Sequence, residues 1–246
     1  MSLDQQQIAL KRALGYPYQL THQSFVFQAG KQATHQLVYS SHEFPDVSER
    51  IPVLAVGSNQ SPEQLARKFT STDWGEIPTS RVHLHDFDTV FSAHLTGYGS
   101  IAATLHPAPG TCVSLYVNWL DPRQLLAMHE TELPNENYTY NQLEDIRISV
   151  DAGPHLTAVN LYIGRHGAYA PEGYSIPLAE VPARGRVAGV AKSQAEILTY
   201  VHAQLAPELG FEQFIISSIE SPDSRRNYIE SLEQFSHNFE SNHLAK

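Results

Sequence analysis

A glycine-bearing loop, Val56-Gly57-Ser58-Asn59, lies between a short apolar run and a predicted helix. A loop of this kind exposes several backbone N–H groups, and the helix dipole adds to their attraction for negative charge. These groups could bind a substrate carboxylate, or the oxyanion that develops when a carbonyl group is attacked. The alternative is an ordinary strand-to-helix turn with no chemical role.

Two glutamates, Glu130 and Glu132, stand near the end of a predicted helix that begins at Asp121. Acidic groups at a helix C-terminus are disfavoured by the helix dipole, so a helix that carries two of them is unusual. A carboxylate that is aimed into a cleft can act as a general acid and base. The alternative is that both are solvated surface side chains.

His83 and His85 share one face of a predicted strand, and Asp86 and Asp88 follow them. Two histidines on one face are geometrically possible metal ligands. No third histidine follows at a suitable spacing, and the sequence contains no HExxH, Walker A, GxGxxG or GxSxxG motif. We therefore expect a structural strand with outward polar side chains. The alternative is an unrelated α+β protein, such as a hydrolase that uses this pair or His129.

Composition indicates a folded chain with a sizeable core. Of the 246 residues, 41% are hydrophobic and 17% are charged, which predicts one large domain or one domain with an appendage. Lys and Arg total 16, Asp and Glu total 26, and the net charge is -10. This balance argues against a nucleic-acid-binding surface.

The sequence contains a single cysteine, Cys112, which excludes a disulfide framework. Its apolar surroundings predict a small buried core residue, and a nucleophile is the alternative. No apolar stretch approaches the length of a membrane span, and the N-terminal residues lack a secretory apolar region. A cytoplasmic location without membrane partners is therefore expected.

The first fifty residues are predicted to form an N-terminal extension that packs on a domain spanning residues 51–246. A helical pattern is followed by strand-like pieces at 24–27 and 36–39. The domain begins with a buried strand over 51–56. Ser61, Pro62 and Gln64 then have the types and spacing of an N-cap, a first helical residue and a capping box.

Asp121, Pro122 and Gln124 repeat this capping pattern before a helix that Pro134 ends. Ser193 with Glu196, and Ser221 with Pro222, predict two further helix starts. Further strands are predicted at 82–92, 101–105, 111–119, 146–150 and 157–163, with a turn at 107–110. Because most strands come in a block, we expect an α+β fold with a mixed sheet that is curved or closed into a barrel, flanked by helices.

The segment from Leu54 to Leu65, with its Gly-Ser-Asn loop, resembles the γ-glutamylcyclotransferase-like proteins. The resemblance continues in order through Asp86-Phe87, residues 100–109, residues 113–118 and the helical segment Leu125–Glu132. It covers roughly residues 51–200. Each motif alone is weak, and their order and spacing together carry the likeness. It implies that family's mixed, curved sheet with flanking helices.

The resemblance also implies the site. Glu132 matches the family's catalytic glutamate, and Gly57, Ser58 and Asn59 match its anion-holding loop. Tyr138, Tyr140 and Tyr162 fall near tyrosines that line the family's pocket. Val56 is also among the substrate-binding positions, and it stands where the family has an aromatic residue. The pocket would therefore lack that ring and its hydroxyl group.

The activity so implied is the cyclisation of a γ-glutamyl amine or peptide to 5-oxoproline, with release of the amine. Glu132 would be the general acid and base, and burial would have to strengthen it as a base. The partner would be a small γ-glutamyl-type molecule, no metal or organic cofactor would be needed, and the protein would be a monomer or homodimer. The alternative is a non-catalytic small-molecule-binding module on the same fold.

Overall fold

Two long antiparallel strands, β4 (Glu76–Leu95) and β5 (Ile101–Leu120), form the centre of the sheet. The structure, a computed structural model, describes residues 1–30, 32–134, 137–187 and 189–245. The β4–β5 pairing runs from Thr79 opposite Asn118 to Leu95 opposite Ile101. The other strands are arranged around this pair.

The sheet is mixed. β3 (Ile51–Ala55) pairs antiparallel with β5 and parallel with β8 (Val159–Gly164), and β6 (Tyr138–Leu143) pairs antiparallel with β8. The remaining strands are β1 (Ser24–Gln28), β2 (Thr34–Val38), β7 (Ile148–Val150), β9 (Ala168–Tyr169), β10 (Ala183–Arg184) and β11 (Ser236–His237). The pairing order β11-β9-β4-β5-β3-β8-β6 does not close on itself over the described residues. The expected α+β fold with a mixed sheet is therefore confirmed, in its open form.

Six helices occur in the described part of the chain: α1 (Leu3–Leu14), α2 (Pro62–Lys68), α3 (Pro122–Glu132), α4 (Gln194–Leu205), α5 (Phe211–Glu220) and α6 (Pro222–Glu233). The capping boxes predicted at Asp121 and Ser193 are confirmed, because each side chain and that of the third helical residue bond reciprocally. The box predicted at Ser61 is wrong. The Ser61 hydroxyl accepts from the N–H of Glu63 and donates to the carbonyl of Gln19 instead.

The turn predicted at 107–110 is also wrong, because β5 continues through it. His85 lies opposite Cys112 and Phe87 lies opposite Pro107, so residues 108–111 bulge opposite Asp86. Asp86 has a φ of 65° and its Oδ1 accepts the N–H of Gly110 at 2.9 Å. A side chain thus takes the bond that the strand ladder cannot supply at this bulge.

The two faces of the sheet bury separate cores. Leu115, Val117 and Trp119 of β5 contribute to one core, while Tyr116 and Leu120 contribute to the other, as the alternation of a strand requires. Helices α4, α5 and α6 pack on the first face. Helices α2 and α3 pack on the second, which places their C-terminal ends near the loop that follows β3.

The N-terminal residues contribute to both the sheet and the core. β1 pairs with β4, and Ala13 and Tyr16 are buried in the first core. The division of the chain at residue 50 stays a prediction. None of the helices among the described residues is long and apolar enough to cross a membrane.

Candidate active site

A cavity of about 380 Å³ lies between the loop after β3, the end of α3 and the strands β6 and β8. Its lining includes Gly57, Ser58 and Asn59 of the loop and Glu132 of α3. Tyr138 and Tyr162 line it from the strands. The structure therefore brings the glycine loop and the candidate carboxylate together in one hollow, although the two are far apart in sequence.

Glu132 is the last residue of α3, and its side chain is 15% exposed. The capping box at Asp121 fixes the start of this helix, and buried Met128 anchors it one turn before Glu132. Glu132 Oε1 accepts a hydrogen bond from Asn59 Nδ2 at 3.0 Å and forms an ion pair with Lys68 Nζ. Its second oxygen, Oε2, has no protein partner in the described ranges. One oxygen is thus held by the protein and the other is free for a ligand.

Lys68 was not identified from the sequence. It is the last residue of α2, where a lysine is typical because it complements the helix dipole. Its ammonium group also donates to Thr131 Oγ1 at 2.9 Å. Lys68 thus places a positive charge beside the mostly buried Glu132 carboxylate, on the side of Oε1.

Asn59 is held in place from two sides. Its side-chain N–H group donates to Glu132, and its backbone carbonyl accepts from Asn118 Nδ2 at 3.0 Å. Asn118 Oδ1 in turn accepts from the Thr79 hydroxyl at 3.1 Å. The Oδ1 atom of Asn59 is buried and has no hydrogen-bond partner in the part of the chain that the structure describes. An orphaned acceptor beside a carboxylate is suited to bind an ammonium group.

The loop residues line the cavity, and their backbone donors are unused. Residues Ser58–Gln60 form a 3-10 turn, and the buried Gln60 side chain donates to the carbonyls of Val56 and Gly57. The N–H groups of Gly57, Ser58 and Asn59 have no acceptor among the described residues. The Gln60 side chain fixes the loop through its carbonyl groups, so the loop N–H groups remain available to an anionic ligand atom.

Tyr16 is a second residue that sequence reasoning missed. It follows α1, is 4% exposed, and its hydroxyl oxygen accepts the N–H of Ala103 at 2.9 Å. A Cβ atom at Gly57 would fall 2.2 Å from this oxygen, so only glycine fits there. Val56 lines the cavity, and Tyr16 lines it too, with its hydroxyl group beside Gly57.

Four tyrosines surround the carboxylate. Burial is the main cause that raises the pKa of Tyr16, Tyr98, Tyr138 and Tyr162, and the charge of Glu132 raises it further in each. Their hydroxyl groups therefore stay protonated at neutral pH. The Tyr162 hydroxyl lies 2.7 Å from His129 Nδ1, on the helix that carries Glu132.

The remaining candidates lie away from the cavity. Tyr140 does not line it, because its ring packs behind, against the rings of His129 and Tyr162 at 4.6 and 5.3 Å. Glu130 is exposed on the outer side of α3.

The histidine pair lies on the central sheet. His83 contacts Ser114 Oγ at 3.0 Å and Asp151 Oδ1 at 3.1 Å, and His85 Nε2 lies 3.7 Å from Cys112 Sγ. No cluster of three or more His, Cys, Asp or Glu side chains that could hold a metal occurs among the residues described.

No protein-family model and no curated protein matches the chain. Several solved structures are similar to it. A γ-glutamyl cyclotransferase shows 20% identity over 47% of this chain and 67% of its own, with a TM-score of 0.38. A yeast γ-glutamyl cyclotransferase specific to glutathione shows 12% identity over 77% and 98%, with a TM-score of 0.33. The YkqA protein of Bacillus subtilis shows 15% identity over 90% and 76%, with a TM-score of 0.38. All three TM-scores lie below 0.5, so the function is inferred below from the pocket.

Proposed function

We propose that the protein is a γ-glutamylcyclotransferase-like enzyme, which converts a small γ-glutamyl amine or peptide into 5-oxoproline and releases the amine. The observation that carries this proposal is the shared cavity of Glu132, Asn59 and the free loop amides. Both reacting groups belong to one substrate molecule. The protein therefore has mainly to fold that molecule into a reactive shape and to move protons.

The ammonium group of the substrate is recognised by acceptors that the protein leaves unused. Glu132 Oε2 and the buried Asn59 Oδ1 have no protein partners among the described residues, and a substrate α-ammonium supplies three donors. Glu132 accepts one of these protons, and the free amine attacks the γ-carbonyl carbon. Lys68 and Asn59 bind Glu132 Oε1, so the carboxylate does not rotate and Oε2 stays directed at the substrate nitrogen during proton transfer.

The carbonyl oxygen becomes negative as the new ring closes. The N–H groups of Gly57, Ser58 and Asn59 are placed to stabilise that charge. The bond to the leaving nitrogen then breaks as Glu132 returns its proton to that nitrogen. The ring nitrogen then passes its surplus proton to the regenerated Glu132 carboxylate, which gives it to the released amine, so that the products are 5-oxoproline and the protonated amine.

A direct assay of 5-oxoproline release from a panel of γ-glutamyl amines and peptides tests this proposal. We expect Glu132→Gln to lower kcat by about 10²–10⁴ while the melting curve shows a folded protein. Glu130→Gln is the matched control, because it makes the same change on the exposed side of the same helix. If both variants keep the wild-type rate, Glu132 is not the acid and base.

A binding module without catalysis is the second candidate, and the Lys68–Glu132 ion pair favours it. A carboxylate that stays paired with a buried lysine can bind an ammonium group without transferring a proton. In that case, calorimetry would detect binding of γ-glutamyl compounds while no 5-oxoproline forms. Sustained product formation above the uncatalysed rate contradicts this reading.

A further inference from the structure

The hydroxyl group of Tyr16 is an unused hydrogen-bond donor inside the cavity. A phenol can both donate and accept, and the oxygen of Tyr16 already accepts the N–H of Ala103. Within the described residues, no acceptor is present for its O–H. The residue is 4% exposed and lines the cavity, so the space that its O–H can reach belongs to the cavity. A buried donor without a partner that lines a pocket points to a ligand atom.

The position of this hydroxyl group indicates which ligand atom it meets. Its oxygen lies against Gly57, since a Cβ atom at that residue would be 2.2 Å away. Gly57 begins the loop whose amides are free. The hydroxyl group and the amides therefore converge from neighbouring positions on one region of the cavity, and Tyr16 remains protonated because burial and nearby charges raise its pKa well above its usual value.

We propose that the Tyr16 hydroxyl, supplied by the segment after α1, donates a hydrogen bond to the γ-carbonyl oxygen of the substrate during ring closure. This rests on the function proposed above. When the amine attacks, the new C–N bond forms and the carbonyl π electrons move to oxygen. Tyr16 shares this charge with the loop amides, and the charge returns to the carbonyl as the leaving amine departs. No proton leaves Tyr16.

This role makes the N-terminal segment part of the active site. Tyr16 is connected to the rest of the pocket by the bond from Ala103 on β5 and by its contact with Gly57 after β3. The segment between α1 and β1 thereby contributes a side chain to the active site.

The test compares Tyr16→Phe with Tyr18→Phe. Each variant loses one buried phenol hydroxyl from the same segment, and the two rings lie 6.3 Å apart. Among the described residues the Tyr18 hydroxyl has no hydrogen-bond partner, and Tyr18 does not line the cavity. We expect kcat of Tyr16→Phe to fall by about 10²–10³, with KM within a few-fold, while Tyr18→Phe keeps both constants.

Inhibition by 5-oxoproline separates catalysis from binding. This product keeps the α-carboxylate, and the former γ-carbonyl oxygen is now a neutral lactam oxygen without the oxyanion charge, so its inhibition constant should change only a few-fold in Tyr16→Phe. The role given to Tyr16 would be overturned by an unchanged kcat, by an equal loss in Tyr18→Phe, or by a loss of affinity for 5-oxoproline as large as the loss of kcat. A wild-type protein that forms no 5-oxoproline would overturn the proposed function, and this inference with it. If the wild type forms 5-oxoproline and Tyr16→Phe forms it at the same rate, only the role given to Tyr16 is overturned.

The Tyr16→Phe variant leaves the Ala103 N–H group unpaired and could fail to fold for that reason. A second replacement therefore tests the same role with this hydrogen bond in place. Tyr16 replaced by 3-fluorotyrosine keeps the ring, the hydroxyl group and the bond from Ala103, and makes the hydroxyl a stronger donor. We expect kcat to rise while KM and the melting temperature stay the same. An unaltered kcat in this protein would contradict the proposal even if Tyr16→Phe does not fold.

Discussion

Lys68 Nζ and Glu132 Oε1 form an ion pair between the last residues of α2 and α3, and their side chains are 9% and 15% exposed. Lys68 complements the dipole of its own helix, whereas Glu132 stands at the helix end that disfavours a negative charge. The lysine therefore offsets the cost of placing a carboxylate there. The pair also ties together the two helices that flank the cavity.

We predict that Lys68→Met destabilises the fold by about 3–5 kcal/mol, because it leaves a mostly buried carboxylate without its cation. Urea unfolding measures this loss.

Arg67→Met is the matched control for this change. Arg67 precedes Lys68, pairs with Glu63 where the side chains are 33% and 54% exposed, and places its guanidinium 4.1 Å from the centre of the Tyr18 ring. An exposed pair of this kind contributes about 1 kcal/mol or less. Equal losses of stability in the two variants would show that the Lys68–Glu132 pair has no special role.

Gly57→Ala is predicted to lose activity and about 1–3 kcal/mol of stability, because its Cβ atom would overlap the Tyr16 hydroxyl. Removing that hydroxyl in the double variant with Tyr16→Phe should recover part of the stability but not the activity. Gly97→Ala is the control for stability, since a Cβ atom there meets nothing within 4 Å. A double variant whose stability loss is the sum of the two single losses would contradict the contact.

Asn59→Asp is predicted to lower kcat/KM by more than about 10² at neutral pH, from the usual effect of removing an oriented donor. The substitution keeps the shape but puts a second negative charge at the position 3.0 Å from Glu132 Oε1. The two carboxylates would then compete for Lys68 and disturb proton transfer. Steady-state kinetics beside a thermal melt measure this effect, and wild-type kcat/KM in a folded variant would contradict it.

His94 should make stability depend on pH. Burial lowers its pKa to about 3, with further contributions from His166 and Arg225. In the unfolded chain this histidine is protonated below about pH 6.5, whereas in the folded protein it stays neutral down to about pH 3. The contribution of His94 to the free energy of unfolding is therefore fully present above about pH 6.5 and declines as the pH falls toward 3.

The slope from His94 alone approaches about 1.4 kcal/mol per pH unit in this window. His94→Phe should remove that part of the slope in urea unfolding measured between pH 4.5 and 7.5. His155→Gln, a change at an exposed histidine, should leave it in place. Identical slopes for the wild type and His94→Phe would show that His94 is not buried in its neutral form.

The local signals in the sequence predicted many of the elements. The cap at Asp121 placed α3 correctly, and the apolar run from Ile51 placed β3. Helix α5 was not predicted, because its N-cap is Gly210, which makes no side-chain capping bond. The turn predicted at 107–110 was wrong because Asp86, a residue on the other strand, accepts the N–H of Gly110 within the bulge. Local patterns do not show bonds made across a sheet.

The same limit applies to the site. Glu132 and the loop carry recognisable residue types, so the sequence could indicate them before the cavity was known. Lys68 looks like an ordinary helix-ending lysine, and Tyr16 lies in a segment without a motif. Both enter the cavity only through tertiary packing, which brings the ends of two helices and the N-terminal segment to the loop after β3.

The most direct test of the central claim follows one nitrogen atom. A γ-glutamyl substrate labelled with ¹⁵N at its α-amine is incubated with the protein in H₂¹⁸O, and the products are analysed by mass spectrometry. We predict 5-oxoproline that carries ¹⁵N and no ¹⁸O, beside an unlabelled amine, in an amount that falls with Glu132→Gln and not with Glu130→Gln. Labelled glutamate with ¹⁸O in its γ-carboxylate would instead show that water is the nucleophile, and it would contradict intramolecular attack by the α-amine.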